Sequence, residues 1–147
     1  MYHVGFTGTR RGLTAGQQRA FSAWLGQPHP TPVTFHHGDC IGGDAEAHSL
    51  VRRHRRDWTI IVHPPLLPTL RAYCQGESTA APLAFLARNR VIVESSTLLI
   101  ACPAEVYEVQ RSGTWATVRL ARKLRLQILL CWPDGTTRSS PTLGGTP

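Results

Sequence analysis

The chain has 147 residues, of which 41% are hydrophobic and 17% charged, and its formal net charge is +7. This length predicts one domain with its own core, and the composition excludes a mainly disordered chain. No apolar run approaches the roughly 18 to 20 residues that cross a bilayer, and the first residues lack the layout of a signal peptide. We therefore expect a cytoplasmic protein that does not interact with a membrane.

Short apolar runs alternate with stretches of helical period along the chain. The predicted strands lie near residues 3–7, 32–36, 58–63, 97–102 and 127–132, and the predicted helices near 14–25, 44–55, 82–95 and 114–125. This alternation predicts a single α/β domain over residues 1–133, with a doubly wound, mostly parallel, five-stranded sheet. Residues 64–81 are predicted to be an irregular loop. Residues 134–147, rich in Gly, Ser, Thr and Pro, are predicted to be a disordered tail.

The first candidate binding segment follows the first strand and contains Gly8, Thr9 and Arg10. In doubly wound sheets ligands bind beyond the carboxyl ends of the strands. Glycine lets backbone amides approach an anion, and the Arg10 guanidinium can hold a phosphate through two hydrogen bonds. The segment lacks the glycine spacing of a dinucleotide site and the ending of a P-loop, so it predicts a phosphate contact and no specific cofactor.

A second, glycine-rich segment follows the second strand. Its candidate phosphate-binding residues are Gly38, Asp39, Gly42 and Gly43. Asp44 begins the next helix, where it could hydrogen-bond ribose hydroxyls or act as a general acid or base. A carboxylate in a first helical turn is equally explained by its favourable interaction with the helix dipole.

Two further segments stand at the starts of later helices. The first offers Arg88, Asn89 and Arg90 as ligand contacts, and Glu94 on the same helix is a candidate catalytic carboxylate. The second precedes the last helix, whose free amides would form an anion site at the positive helix end. Its residues are Arg111, Ser112, Gly113 and Thr114. A surface arginine pair and ordinary capping by Ser112 or Thr114 are the simpler readings of these two segments.

Histidines and acids cluster around the second segment, which raises the question of a metal. The cluster comprises His36, His37, Asp39, Cys40, Asp44, His48 and His63. A zinc site needs three or four converging ligands, and neither a helical H-E-x-x-H motif nor a C-x-x-C pair is present. Adjacent His36 and His37 point to opposite faces of a strand. We therefore predict no bound metal and no other cofactor.

Taken in chain order, these segments resemble the SLOG superfamily, most closely its small stand-alone YpsA-like members. The matching motifs are Asp44-Ala45-x-Ala47-His48, Arg88-Asn89-Arg90-x-Ile92 and Ser112-Gly113-Thr114 with Thr117. The resemblance covers about residues 3–132. It implies a Rossmann-like fold, binding of a nucleotide or nucleotide derivative, and a homodimer.

The activity within this superfamily is predicted from the same residues. LOG-type phosphoribohydrolases resemble the last motif but carry a glutamate where this chain has Thr117. Hydrolysis of a bound nucleotide would therefore need another carboxylate, for which Asp44, Asp39 and Glu94 are the candidates. Arg88 is a further candidate catalytic residue. The sequence also allows a DprA-like protein that binds single-stranded DNA with added contacts from residues 52–56, or a metal-dependent hydrolase built on the histidine-rich segment.

Overall fold

Strands and helices alternate around one mixed sheet. The structure is a computed structural model and describes residues 1–140. Its elements are β1 (Tyr2–Gly8), α1 (Ala15–Leu25), β2 (Val33–His37), α2 (Gly43–His54), β3 (Thr59–Val62), β4 (Ser78–Thr79), α3 (Phe85–Ser95), β5 (Leu98–Cys102), α4 (Gly113–Lys123), β6 (Gln127–Cys131) and β7 (Thr137–Ser139). Within residues 1–140 no helix is both long and apolar enough to cross a membrane.

The strand order β4-β3-β2-β1-β5-β6-β7 makes the fold doubly wound, as predicted. The chain first builds outward from β1 to β4, and then returns to place β5 on the other side of β1. Every pairing is parallel except β6 with β7. The direction of winding reverses between β1 and β5, and a crevice forms beyond their carboxyl ends.

Burial on both faces of the sheet explains why the central strand β5 is continuously apolar. All five residues of β5 are buried, and successive side chains enter different cores. Leu98, Ile100 and Cys102 join the core beneath α1 and α2. Leu99 and Ala101 join the core beneath α3 and α4.

Two strands were not predicted, so the sheet has seven strands and not five. β4 lies inside the predicted loop 64–81 and pairs with β3. β7 lies in the predicted tail and pairs antiparallel with β6, because the turn at Asp134-Gly135 reverses the chain. Gly135 has a φ of 90°, and its amide donates to the Trp132 carbonyl. The remainder of the predicted tail, 141–147, lies outside the described residues.

Candidate ligand-binding site

A cavity of about 360 Å³ opens at the carboxyl ends of β1 and β5, where the winding reverses. Its walls come from the loop after β1, the loop after β2, helix α3 and the start of α4. Ten of the residues singled out from the sequence line it: Gly8, Thr9, Arg10, Gly38, Asp44, Arg88, Asn89, Ser112, Gly113 and Thr114. Segments far apart in the chain therefore meet at one place.

The start of α4 presents free backbone donors to this cavity. The Ser112 side chain caps the helix by accepting a hydrogen bond from the Trp115 amide at 3.2 Å. The amides of Gly113 and Thr114 have no hydrogen-bond partner among residues 1–140. A Cβ placed on Gly113 would meet no atom within 4 Å. A ligand can therefore approach these two amides closely, at the positive end of the helix.

Gly42 and Gly43 hold two loops together and do not line the cavity. The Gly43 amide donates to the Thr9 carbonyl at 2.8 Å. A Cβ on Gly43 would lie 2.9 Å from that carbonyl oxygen, and one on Gly42 would collide with the Arg10 backbone. Gly42 also has a φ of 89°, which favours glycine. The structure gives these glycines a packing role where the sequence predicted a phosphate contact.

Arg88 is a buried cation at the floor of the cavity, with a relative exposure of 6%. Its Nη1 donates to the carbonyls of Gly38 and His63, and its Nε donates to Asn89 Oδ1 at 2.7 Å. A Cβ on Gly38 would collide with the guanidinium, so any other residue there would displace the Arg88 side chain. Within residues 1–140, no carboxylate lies close enough to Arg88 to form an ion pair.

Asp44 lies buried beside Arg88 and faces the same cavity. Its Oδ2 accepts a hydrogen bond from the Cys40 amide at 3.2 Å, and no side chain in the described part of the chain donates to it. Burial raises the pKa of Asp44 to about 6, although the nearby Arg88 charge and the Cys40 amide act in the opposite direction. The carboxyl group therefore titrates close to neutrality.

Asp39 was predicted to bind phosphate, but the structure places it behind the cavity. It is fully buried with a φ of 55°. Its carboxylate accepts hydrogen bonds from Arg71 Nε at 2.7 Å and from the Cys74 amide at 2.8 Å. Asp39 therefore fastens the long loop between β3 and α3 to the loop after β2.

Three other predicted residues also lie outside the cavity lining. Arg90 and Glu94 form an exposed i, i+4 pair on α3, with an N–O distance of 3.8 Å. Glu94 therefore does not face the cavity from which it was expected to act. Arg111 is exposed on the approach to α4 and does not line the cavity either.

The sequence did not identify Phe85, which forms part of the cavity wall. The guanidinium carbons of Arg10 and Arg88 lie 4.8 Å and 5.4 Å from its ring centroid. Phe85 precedes Arg88 by three residues, so both share a face of α3. The three-residue spacing of Phe85 and Arg88 was the signal in the sequence that could have identified Phe85 as a cavity residue. Glu105 also lines the cavity, where its carboxylate accepts a hydrogen bond from the Trp115 indole.

Three histidines form a hydrogen-bonded chain across β1, β2 and the end of β3. His3 Nδ1 lies 2.9 Å from His36 Nε2, and His36 Nδ1 lies 2.9 Å from His63 Nε2. Burial, together with neighbouring positive charge, lowers the pKa of His36 to about 3 and that of His63 to about 4. Both rings are therefore neutral at neutral pH.

Another two histidines, His37 and His48, lie next to Cys74, and in residues 1–140 these three side chains most resemble a metal site. Ligand atoms of His37, His48 and Cys74 lie within 4.8 Å of one another. However, the Asp39 amide donates to His37 Nδ1 at 3.0 Å, which requires the proton of neutral His37 to be on Nε2. That proton points to His48 Nδ1, 2.9 Å away, so the Nε2 lone pair is not free for a metal.

We expect the purified protein to carry no stoichiometric metal and to keep its thermal unfolding temperature in chelator. Burial, with Asp39 nearby, raises the pKa of the Cys74 thiol to about 12, which disfavours the thiolate that a metal requires. Elemental analysis together with thermal unfolding in EDTA checks this. Close to one zinc per chain, lost in His48→Ala, would contradict it.

The fold and the cavity define a Rossmann-like α/β domain with a ligand crevice at its topological switch point. No protein-family model and no curated protein matches the chain. Solved structures share its fold, and three of them are described next. They confirm the Rossmann-like fold that the resemblance of the sequence motifs implied.

Two of these structures are of proteins named for binding or carrying the molybdenum cofactor. The molybdenum cofactor binding protein of the phototrophic bacterium Rippkaea orientalis is 21% identical, with a TM-score of 0.66 over 90% of this chain and 77% of its own. The molybdenum cofactor carrier protein of Chlamydomonas reinhardtii is 19% identical, with a TM-score of 0.59 over 88% and 76%.

The third structure is DNA processing protein A of Streptococcus pneumoniae. It is 19% identical to this chain and superposes with a TM-score of 0.60 over 88% of it. The matched region covers 50% of that protein, so this chain corresponds to half of its length. At these identities the likeness establishes the fold alone.

Proposed function

We propose that this domain binds a phosphate-bearing small molecule, a nucleotide or nucleotide derivative, in the cavity between β1, α3 and α4. The observation that carries the proposal is Arg88, a buried cation that faces a cavity without a carboxylate partner in residues 1–140. Asp44 lies beside Arg88 but forms no ion pair with it in the described residues. A buried charge that lacks a paired counter-ion is costly, and an anionic ligand would stabilise it.

The polar groups around the cavity suggest how such a ligand is oriented. The free amides of Gly113 and Thr114 suit the phosphate, because they combine donors with the positive end of α4. Asp44 suits a hydroxyl group of the ligand, since its carboxylate would repel a phosphate but accept hydrogen bonds from hydroxyl groups. The phosphate would therefore lie where both Arg88 and the α4 amides can donate to it, and a sugar hydroxyl would lie next to Asp44.

Hydrolysis of the bound nucleotide is a further property that this proposal includes. Asp44 is the acid or base we assign to it, because its pKa is raised to about 6 and it lines the cavity. Glu94 is not part of this proposal, since it lies outside the lining. Incubation with nucleotides and chromatography of the products tests the chemistry, with Asp44→Asn as the inactive variant.

A second candidate ligand is the molybdenum cofactor, which is favoured by the two cofactor-binding proteins that share the fold. Single-stranded DNA is less well supported. Of the basic cluster at the end of α2, Arg52 and Arg55 already pair with Glu77 and Asp57. The homodimer implied by the family resemblance stays a prediction, and light scattering would test it.

We expect Gly113→Val to weaken binding of AMP at least about tenfold while the protein stays folded. The valine methyl groups would cover the two donor amides, and hydrogen bonds to a charged group are worth about 1.5 to 3 kcal/mol. Open space around the Cβ predicts an unchanged thermal unfolding temperature. Isothermal titration calorimetry measures the affinity.

Gly26→Val is the matched control, because Gly26 ends α1 far from the cavity and a Cβ there meets only ordinary contacts at 3.6 Å and beyond. It should bind AMP like the wild type. Equal affinities of the Gly113 and Gly26 variants would remove the α4 amides from the model. Titration of the wild type with the molybdenum cofactor and with single-stranded DNA decides between the ligand classes.

A further inference from the structure

Arg10 stands out among the cavity residues because an aromatic ring holds it in place. Its guanidinium carbon lies 4.8 Å from the Phe85 ring centroid. Arg10 is exposed and lines the cavity, and its side chain forms no ion pair or hydrogen bond within residues 1–140. Contact with the ring covers part of the guanidinium and leaves the rest to the cavity.

An arginine held in this way offers a ligand more than its charge. The guanidinium is planar, delocalised and weakly hydrated, so it stacks on aromatic groups, whereas the compact lysine ammonium does not. Planar bases stack on arginine as they do on aromatic side chains. The Phe85 contact also reduces the rotamer freedom that Arg10 would otherwise lose on binding.

We propose that Arg10, supported by Phe85, is the surface on which a planar heterocycle of the ligand stacks. This inference rests on the proposed function and narrows it. The preferred ligand carries a phosphate at one end and a flat ring at the other, which excludes inorganic phosphate and simple sugar phosphates. The sequence had suggested that Arg10 holds the phosphate itself, and the two roles predict different responses to substitution.

The test compares AMP with ribose 5-phosphate, which shares its phosphate and sugar but lacks the base. We expect the wild type to bind AMP at least about tenfold more tightly, in line with the usual contribution of one stacked base. Arg10→Lys keeps the charge and loses the planar group. It should reduce AMP affinity to the level of ribose 5-phosphate and leave affinity for ribose 5-phosphate unchanged.

Two further variants make the experiment specific. Phe85→Leu removes the ring and should also lower AMP affinity selectively. Arg19→Lys is the control for arginine-to-lysine exchange, because Arg19 is exposed on α1 and does not line the cavity. Equal wild-type affinities for the two compounds, or an equal loss of both in Arg10→Lys, would overturn the stacking role and leave phosphate binding intact. Failure of the wild type to bind either compound would overturn the proposed function and this inference with it.

Discussion

Replacing Arg88 by alanine should lower the affinity for a mononucleotide by roughly 10- to 100-fold, as expected for the loss of charge-assisted hydrogen bonds to phosphate. Arg88 is the buried cation of the cavity, and its hydrogen bonds to Gly38, His63 and Asn89 fix its position before a ligand arrives. Isothermal titration calorimetry with AMP measures the loss.

Arg90→Ala is the comparison that separates a specific contact from a general charge effect. Arg90 lies two residues away on α3, but its side chain is 53% exposed and is paired with Glu94. It should bind AMP nearly as well as the wild type. Arg88→Lys keeps the charge and loses the forked geometry, so its affinity should fall between those of the wild type and Arg88→Ala. A greater loss in Arg90→Ala than in Arg88→Ala would refute this assignment.

Acidification should destabilise the protein steeply between about pH 6 and pH 4. Burial lowers the pKa values of four histidines, so the folded chain holds fewer protons on these rings than the unfolded chain does; they are His36, His37, His48 and His63. Their contribution to stability is complete above the unfolded pKa of about 6.5 and is lost as the pH falls.

Asp44 acts in the opposite direction over the same range. Its pKa is raised to about 6 in the folded protein, so the folded state gains a proton before the unfolded state does. The stability from this proton is complete below the unfolded pKa of 3.8 and disappears as the pH rises through 6. The four histidines outnumber this one aspartate, so the unfolded chain binds more protons than the folded one and the free energy of unfolding has a positive slope against pH.

Urea unfolding at several pH values measures this slope, and two variants should change it in opposite directions. His36→Gln removes one of the four histidines and should make the slope shallower. Asp44→Asn removes the opposing group and should make it steeper. Because domains of this size are stable by about 5 to 15 kcal/mol, the wild type should unfold at mildly acidic pH. A free energy of unfolding that stays constant from pH 6.5 to 4.5 would be inconsistent with neutral, buried histidines.

The five main strands and the four helices could be predicted because each has a strong local signal. Buried parallel strands tend to be apolar runs, and two of the helices begin after the capping residues Thr14 and Ser112. β4 was missed because a strand of two residues is too short to show an alternating pattern of apolar and polar side chains. β7 was missed because its residues are polar, although Asp134-Gly135 is a recognised hairpin signal. An edge strand of three exposed residues depends on that turn more than on its own composition.

The candidate site was predictable in its segments but not in the roles of individual residues. Local sequence places glycines and arginines at the carboxyl ends of strands, and the fold brings those ends together. It does not show that Asp39 is bound by Arg71, because that contact spans 32 residues of the chain. Nor does it show that Phe85 packs against Arg10, which lies on a different element.

The close contact between the loops after β1 and β2 has a consequence for how ligand preference can change. Main-chain atoms of Thr9 and Arg10 pack directly on Gly42 and Gly43, so even one methyl group would separate them. The main chain behind this side of the crevice is therefore fixed by the two glycines, although they do not line the cavity themselves. On the other side lies the start of α3, where Leu86 is 75% exposed and lines the cavity. Selection for a new ligand would therefore act on side chains such as Leu86 and leave Gly42 and Gly43 unchanged.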